Sequence, residues 1–259
     1  MLVAQLLGAI ERLAPSALAE EWDNVGLIVG RHNHPIRRVL VALELRAEVL
    51  AEARELACDT ILTHHPAIFP ALASVTDAPA GELVLRAAED RVAVVAAHTN
   101  LDAARGGLND VMAGILGMSD TSPLRPSPGE PSCGLGRIGR VAPTTLGGLV
   151  EGVTSGFGGA VVSYAGDPWT TVARVACCTG SGGSLIADAR AAGADAYVTS
   201  DLKYHDADRA EGLPLVTLPH ARAERIALRR WTKVLEKALA PERVEVLFAE
   251  TDTDPWQSG

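Results

Sequence analysis

The stretch "RRVLVALELRAEVLAEARELACDTILTHHPAIF", residues 37–69, decides the fold class. Its first part, RRVLVALEL, is rich in apolar and β-branched residues and predicts a strand, whereas RAEVLAEARELA spaces its apolar residues as an amphipathic helix does. The run DTILT predicts a second strand, which ends directly at His64 and His65. The stretch therefore predicts a β-α-β unit with two histidines at the end of its second strand.

Helices and strands continue to alternate on both sides of this unit. LVAQLLGAIERLAP predicts a first helix, and GELVLRAAED, RVAVVAA and GGLNDVMAGIL predict a helix, a strand and a helix. Residues 119–136 are rich in Pro, Ser and Gly, which indicates a loop or a boundary between lobes. A similar alternation starts near Arg137 and ends in a long helix from about His220. We therefore predict an α/β protein with lobes at residues 1–124 and 125–259.

Composition narrows the class of ligand. The chain has 259 residues, of which 47% are hydrophobic and 4% aromatic, so it can bury a sizeable core made largely of Ala, Val and Leu. Its 23 basic and 32 acidic residues give a formal charge of -9, which disfavours direct binding to nucleic acid or to an anionic membrane. A small or metal-mediated ligand is favoured instead.

The cysteines indicate the compartment. The four cysteines show no C-x-x-C spacing, and the chain has neither a signal-peptide pattern nor an apolar run near 18 residues. We therefore expect a cytoplasmic protein without a membrane segment. Cys177 and Cys178, within VARVACC, are interpreted as small hydrophobic residues of a buried strand rather than as reactive thiolates.

The adjacent histidines are the first candidate site. Successive side chains of a strand point to opposite faces, so His64 and His65 are poorly placed to chelate one ion together but could each serve a different ion. The alternative is a polar strand end whose imidazoles are hydrogen-bonded or solvated. A metal site is favoured over a polar strand end only if other candidate ligands occur elsewhere in the chain.

Two further segments supply such ligands. His98 and Asp102 stand four residues apart, and so do His220 and Glu224 on a predicted helix, which places each pair on one face. A solvated helix face is the alternative for the second pair. Because these segments all follow predicted strands, an open sheet could gather them at the carboxyl ends of its strands. Mixed imidazole and carboxylate ligands suit Zn, Mn, Fe or Co, and two ions sharing a carboxylate is the natural arrangement.

A fourth segment, "TSDLKYHDADRA" at residues 199–210, also follows a predicted strand. Lys203 and His205 are candidates for substrate contact or proton transfer, and the alternative is an exposed turn with a capping Asp. The Gly-rich "TGSGGS" at residues 179–184 lacks the Walker lysine and the dinucleotide fingerprint, so it is interpreted first as a tight turn.

Taken together, these segments resemble the Nif-three-like dinuclear-metal-centre proteins, which are often labelled GTP cyclohydrolase type-two homologues. The resemblance extends over nearly the whole chain and rests on EWDNVGLIVG, ILTHHPAIF, AAHTNLDAARGGLND, TGSGGSLI, AGADAYVTSDLKYHDA and PHARAE. It implies two interleaved, similar α/β lobes and a short form without the domain inserted in longer members. It also implies a homohexameric ring built as a trimer of dimers.

The resemblance also implies a ligand set for two divalent ions. His65 and Asp102 would hold one ion, His64 and His220 the other, and Glu224 would bridge both. His98 looks like a neighbouring group, whereas Lys203 and His205 match positions that line the family's cleft. Pro219, just before His220, stands where the family usually has Gly.

The function implied is a dinuclear-metal-dependent hydrolase that uses a metal-bound hydroxide on a small anionic substrate such as GTP, another nucleotide or a phosphoester. His98 or His205 would then transfer the proton. The alternatives are a non-catalytic metal-binding scaffold, a metal-trafficking protein and a regulatory interaction protein.

Overall fold

A computed structural model describes residues 1–256 of the chain. They form two compact units, one of Met1–Leu101 with Leu228–Pro255 and the other of Asp102–Ala227 with Trp256. The divisions fall inside two helices, α4 (Thr99–Ala103) and α9 (His220–Leu239). Within residues 1–256, no helix combines the length and the apolar character needed to cross a membrane.

The first unit contains a five-stranded mixed sheet. Its strands are β1 (Gly26–Val29), β2 (Arg38–Ala42), β3 (Thr60–Thr63), β4 (Ala93–Ala96) and β11 (Glu245–Phe248), in the order β1-β4-β3-β2-β11. All neighbours are parallel except β1, which is antiparallel to β4. Its complete helices are α1 (Val3–Leu13), α2 (Ala47–Glu55) and α3 (Pro79–Glu89), with a 3-10 turn at Ser16–Leu18. The predicted β-α-β unit, β2-α2-β3, is confirmed.

The central strands β3 and β4 are buried along their whole length, and most of their residues are apolar because both faces of the sheet are covered. Leu40 of β2 and Ile61 of β3 are fully buried, and they pack in one cluster with Val49 and Leu50 of α2. β3 and β4 pair with Thr63 opposite Ala96, so the residues that follow the two strands emerge side by side. This register brings the histidines after β3 and β4 to one edge of the sheet.

The second unit contains a six-stranded sheet in the order β5-β6-β8-β9-β10-β7. Its strands are β5 (Ser119–Ser127), β6 (Glu130–Thr145), β7 (Ser163–Ala165), β8 (Thr171–Ser181), β9 (Ala196–Ser200) and β10 (Leu215–Thr217). β8, β9 and β10 are parallel, and the other pairs are antiparallel. Its complete helices are α5 (Leu108–Ile115), α6 (Leu146–Gly156), α7 (Ile186–Ala191) and α8 (Tyr204–Arg209). A 3-10 turn at Gly183–Leu185 belongs to this unit, and another at Ala240–Glu242 belongs to the first unit.

Successive residues of β8 enter different cores on the two faces of this sheet. Cys177 packs in the cluster that contains Leu149 and Val153 of α6, whereas Cys178 packs in the cluster that contains Leu185. Burial raises the pKa of the Cys177 thiol to about 12, so this group stays protonated at neutral pH. The interpretation of both cysteines as buried strand residues is confirmed.

Residues 119–136 differ from the loop that their composition predicts. β5 and β6 form a long antiparallel hairpin whose turn contains Gly129 at a φ of 79°. Pro123 and Pro126 fit in β5 because it is an edge strand, where a missing N–H need not weaken the sheet. The boundary predicted near residue 124 therefore falls inside a strand.

The two compact units are discontinuous in sequence, whereas the predicted lobes, 1–124 and 125–259, are each continuous. The reason is that β11, near the end of the chain, pairs with β2 in the first sheet. The last three positions of the second predicted lobe lie outside the described residues.

Candidate metal centre

Three imidazoles form a cluster in the first unit. The ring centroids of His64, His65 and His98 lie 5.1 to 5.5 Å apart, and one nitrogen from each ring lies within 4.8 Å of the others. Nitrogen ligands held about 2.1 Å from one zinc ion lie roughly 3 to 4 Å apart, which is close to this spacing. His64 and His65 thus lie nearer to one another's ligand atoms than strand alternation predicts, because both follow β3 rather than lie within it. The donor set fits a metal that prefers imidazole.

The orientation of His64 is fixed by the backbone. Its side chain is fully buried, and its Nδ1 lies 3.0 Å from the carbonyl oxygen of Ala97. Because a carbonyl oxygen only accepts a hydrogen bond, Nδ1 carries the proton. In the neutral ring Nε2 then holds the lone pair, which is the form that a metal requires.

His98 is oriented by a carboxylate instead. Its Nδ1 lies 2.9 Å from Oδ1 of Asp23, whose side chain is fully buried. Asp23 also accepts hydrogen bonds from the backbone N–H and the hydroxyl of Thr99. Burial by itself raises the pKa of Asp23, but the hydrogen bonds from His98 and Thr99 outweigh it and hold the pKa well below its usual range. Asp23 is therefore ionised and directs Nε2 of His98 away from itself.

Asp23 orients His98, a role that is not predicted above from the sequence. The residue lies in EWDNVGLIVG, a segment that precedes β1, and 75 positions separate it from His98. The sequence signal is a charged residue just before an apolar strand, and this pattern does not indicate that Asp23 contacts His98.

In the second unit, the first turn of α9 carries an imidazole and a carboxylate four residues apart. Nε2 of His220 lies 3.0 Å from Oε2 of Glu224, whose side chain is 4% exposed. Nδ1 of His220 lies 2.5 Å from Oδ2 of Asp201, which follows β9. Burial lowers the pKa of His220, but the two carboxylates raise it to about 10. Without a metal the ring is therefore a cation, and an ion bound at Nε2 must displace its proton.

The backbone of the second unit makes room for Glu224. Gly180, at the end of β8, has a φ of 62°, and a Cβ at this position would collide with Oε1 of Glu224 and lie 3.4 Å from Nε2 of His220. Asp201 also adopts a positive φ, 55°, which aspartate tolerates better than most residues. The Gly-rich segment differs from the single tight turn that was predicted, because residues 179–181 end β8 and Gly183–Leu185 forms a 3-10 turn. Its Gly180 forms one wall beside His220 and Glu224.

Asp102 is held by the end of β8, the strand that contains Thr179 and Gly180. Its Oδ1 accepts a hydrogen bond of 3.1 Å from the hydroxyl of Thr179, which directly precedes Gly180. Asn109, fully buried, accepts from the backbone N–H of Thr179 at 2.9 Å and donates to the carbonyl of Asp102 at 3.0 Å. The negative charges of Asp102 and Glu224 also add to the effect of burial in raising the pKa of Cys178. The second unit therefore gathers three of the predicted ligands around residues 179–180.

Pro219, the departure from the family pattern noted above, is compatible with the helix that begins at His220. Its carbonyl accepts a hydrogen bond of 3.0 Å from the backbone N–H of Ala223. A residue just before a helix needs no N–H for the helical hydrogen bonds, so proline is tolerated there.

Lys203 and His205 lie at the start of α8, in the segment that follows β9. Lys203 lines a cavity of about 660 Å³ that also includes Asp201 and Ser181. His205 is exposed, and its ring centroid lies 5.2 Å from that of Tyr204. Their proposed roles in substrate contact and proton transfer stay predictions.

The fold and these side chains define an α/β protein that carries candidate metal ligands of the imidazole and carboxylate type at the carboxyl ends of parallel strands in each unit. The family model described as Duf34/NIF3 (NGG1p interacting factor 3) matches residues 1–255. The chain therefore belongs to the Duf34/NIF3 family, and the predicted resemblance is confirmed.

Individual relatives agree with this assignment. The chain is 31% identical over 261 residues to a protein of Clostridium perfringens named GTP cyclohydrolase 1 type 2 homolog, with 99% of each chain covered. It is 38% identical over 209 residues to a protein of the same name from Lactococcus lactis, with 79% of each covered. A solved structure, a Staphylococcus aureus hypothetical protein, matches with a TM-score of 0.94 and 27% identity over 100% of this chain and 99% of that one.

Proposed function

We propose that this chain is a metal-dependent hydrolase that holds two divalent ions through His64, His65, Asp102, His220 and Glu224. One observation supports this most strongly: Nδ1 of two of the proposed histidine ligands contacts an oxygen acceptor. The acceptors are the carbonyl of Ala97 for His64 and the carboxylate of Asp201 for His220. Metal-binding histidines commonly have an oxygen at the second nitrogen, which fixes the ring and leaves Nε2 directed at the ion.

The charges of the ligands favour an anionic substrate. Divalent ions, when bound, supply Lewis-acid activation of water and of the electrophilic atom. The carboxylates of Asp102 and Glu224 offset only half of the charge of two such ions, because the histidines bind as neutral rings. An excess of positive charge attracts a phosphate or carboxylate group of the substrate.

His98 is the proposed proton acceptor. Because Asp23 is ionised and bonded to Nδ1, it stabilises the imidazolium that forms when Nε2 takes a proton. Lys203 is the proposed contact for the anionic end of the substrate, and His205 is the alternative group for proton transfer.

The names of two relatives support a choice of first substrate. Since they are named GTP cyclohydrolase 1 type 2 homolog, GTP is the first substrate to test, followed by other nucleotides and phosphoesters. Metal content and GTP consumption are measured on the wild-type chain and on His64→Ala and Glu224→Ala. We expect about two ions per chain and turnover in the wild type, with both reduced in the variants. A chain that binds no metal as purified or after reconstitution refutes the hydrolase.

The family description, which includes "interacting factor", supports a second candidate: a metal-binding scaffold or regulatory interaction protein without turnover. Two ions per chain with no hydrolysis of any nucleotide or phosphoester would select it. In either case we propose a homohexamer, on the family resemblance, and a cytoplasmic location, to which the four buried free cysteines are suited. Light scattering coupled to gel filtration tests the hexamer.

A further inference from the structure

Two large aromatic side chains lie exposed beside the imidazole cluster of the first unit. Trp22 is 55% exposed and Phe69 is 58% exposed. Their ring centroids are 5.7 Å apart with an interplanar angle of 58°, and the Trp22 ring lies 6.0 Å from that of His98. Exposure of large aromatic rings to water is unfavourable, and contiguous exposed apolar surface typically marks a binding site.

The backbone holds this pair in a defined position. Asp23, next to Trp22, accepts the hydrogen bond from His98, and the side chain of Asn24 donates to the carbonyl of Ile68 at 2.9 Å. Ile68 directly precedes Phe69. The three consecutive residues 22–24 therefore tie the two aromatic rings to each other and to the imidazole cluster.

We infer that Trp22 and Phe69 form a stacking site for the planar heteroaromatic ring of the substrate, an inference that rests on the proposed function. A flat ring on this pair would lie beside His98, so a phosphate chain attached to it could extend to the ions. The ligand class is a heteroaromatic compound with an anionic tail, for which a nucleoside triphosphate is the test case. Stacking uses the face of the ring, so it tolerates different bases.

The experiment compares ligands that differ in the ring alone. Binding of GTP, ATP and inorganic tripolyphosphate to the metal-loaded full chain is measured by calorimetry. We expect both nucleotides to bind the wild type more tightly than tripolyphosphate. Trp22→Ala should weaken both nucleotides by roughly 5- to 150-fold, the range for loss of one stacked base, and leave tripolyphosphate unchanged. Trp22→Phe should retain most of the affinity.

Trp169→Ala is the matched control, since Trp169 is 80% exposed and belongs to the second unit. It should bind all three ligands as the wild type does. Equal affinities for nucleotides and tripolyphosphate in the wild type, or an equal loss for all three in Trp22→Ala, would overturn the stacking site. Metal content is measured on the same samples. A chain that holds no metal refutes the proposed hydrolase. The comparison of the nucleotides with tripolyphosphate still tests the stacking site.

Discussion

Asp23 Oδ1 lies 2.9 Å from Nδ1 of His98, a contact between residues 75 positions apart. The carboxylate is buried, ionised and bonded to Thr99 as well, so it does not depend on His98 alone to stay in place. This pair links the segment before β1 to the end of β4. It therefore fixes the position of the His98 ring in the imidazole cluster before any ion binds.

Asp23→Asn should lower kcat for GTP by about 100- to 10,000-fold, because an amide can present its N–H to Nδ1 and no longer stabilises the imidazolium that His98 forms as proton acceptor. Steady-state kinetics measures kcat, and elemental analysis should find the wild-type ion count. Asp77→Asn, at an exposed position of the same unit, should change neither kcat nor the ion count. Equal kcat values in the two variants would mean that Asp23 does not act through His98.

Gly180→Ala should displace the carboxylate of Glu224 and reduce metal content, because the added methyl group collides with Oε1. The substitution also places alanine at a positive φ, which costs about 1 to 2 kcal/mol. Gly193→Ala supplies the matched control, since Gly193 has a φ of 71° and nothing within 4 Å of the added Cβ. We expect both variants to lose a similar amount of stability. We expect only Gly180→Ala to lose metal. Metal loss in both would assign the effect to strain.

The local elements of the fold could be predicted from sequence because their patterns are local. The β2-α2-β3 unit is predicted from local residue patterns, and a long helix is predicted from about His220, where α9 begins. The β5–β6 hairpin was missed because its prolines indicate a loop unless the strand is known to lie at an edge. The place of β11 beside β2 depends on a pairing between chain segments about 200 residues apart, and no local pattern encodes it.

The candidate site, like the fold, is predictable from sequence only in part. The sequence placed His64, His65 and His98 at neighbouring strand ends, and the structure brings their rings together. It did not identify Asp23 and Asp201 as the groups that orient His98 and His220, since each pairing is set by the fold and not by spacing. Ligands that follow strands are predictable, whereas the residues that hold the ligands are much less so.

Glu224→Ala should abolish binding of at least one ion, because the proposed role of this carboxylate is to serve both. Elemental analysis of the variant purified without chelator gives the ion count. Glu236→Ala, an exposed substitution on the same helix, controls for changes in α9 and should keep the wild-type count. An unchanged count in Glu224→Ala would refute the bridging role and move the shared ligand elsewhere.

The double substitution of Cys177→Ser and Cys178→Ser should leave metal content intact and reduce stability. Both thiols pack in apolar clusters, and neither belongs to a group of candidate metal ligands among the described residues. Each serine hydroxyl would be placed in an apolar core, at a cost of about 1 to 3 kcal/mol. Urea unfolding gives the loss of stability, and elemental analysis of the folded fraction gives the ion count. A lower ion count in folded protein would mean that a cysteine belongs to the ligand set, and the assignment to histidines and carboxylates would then be wrong.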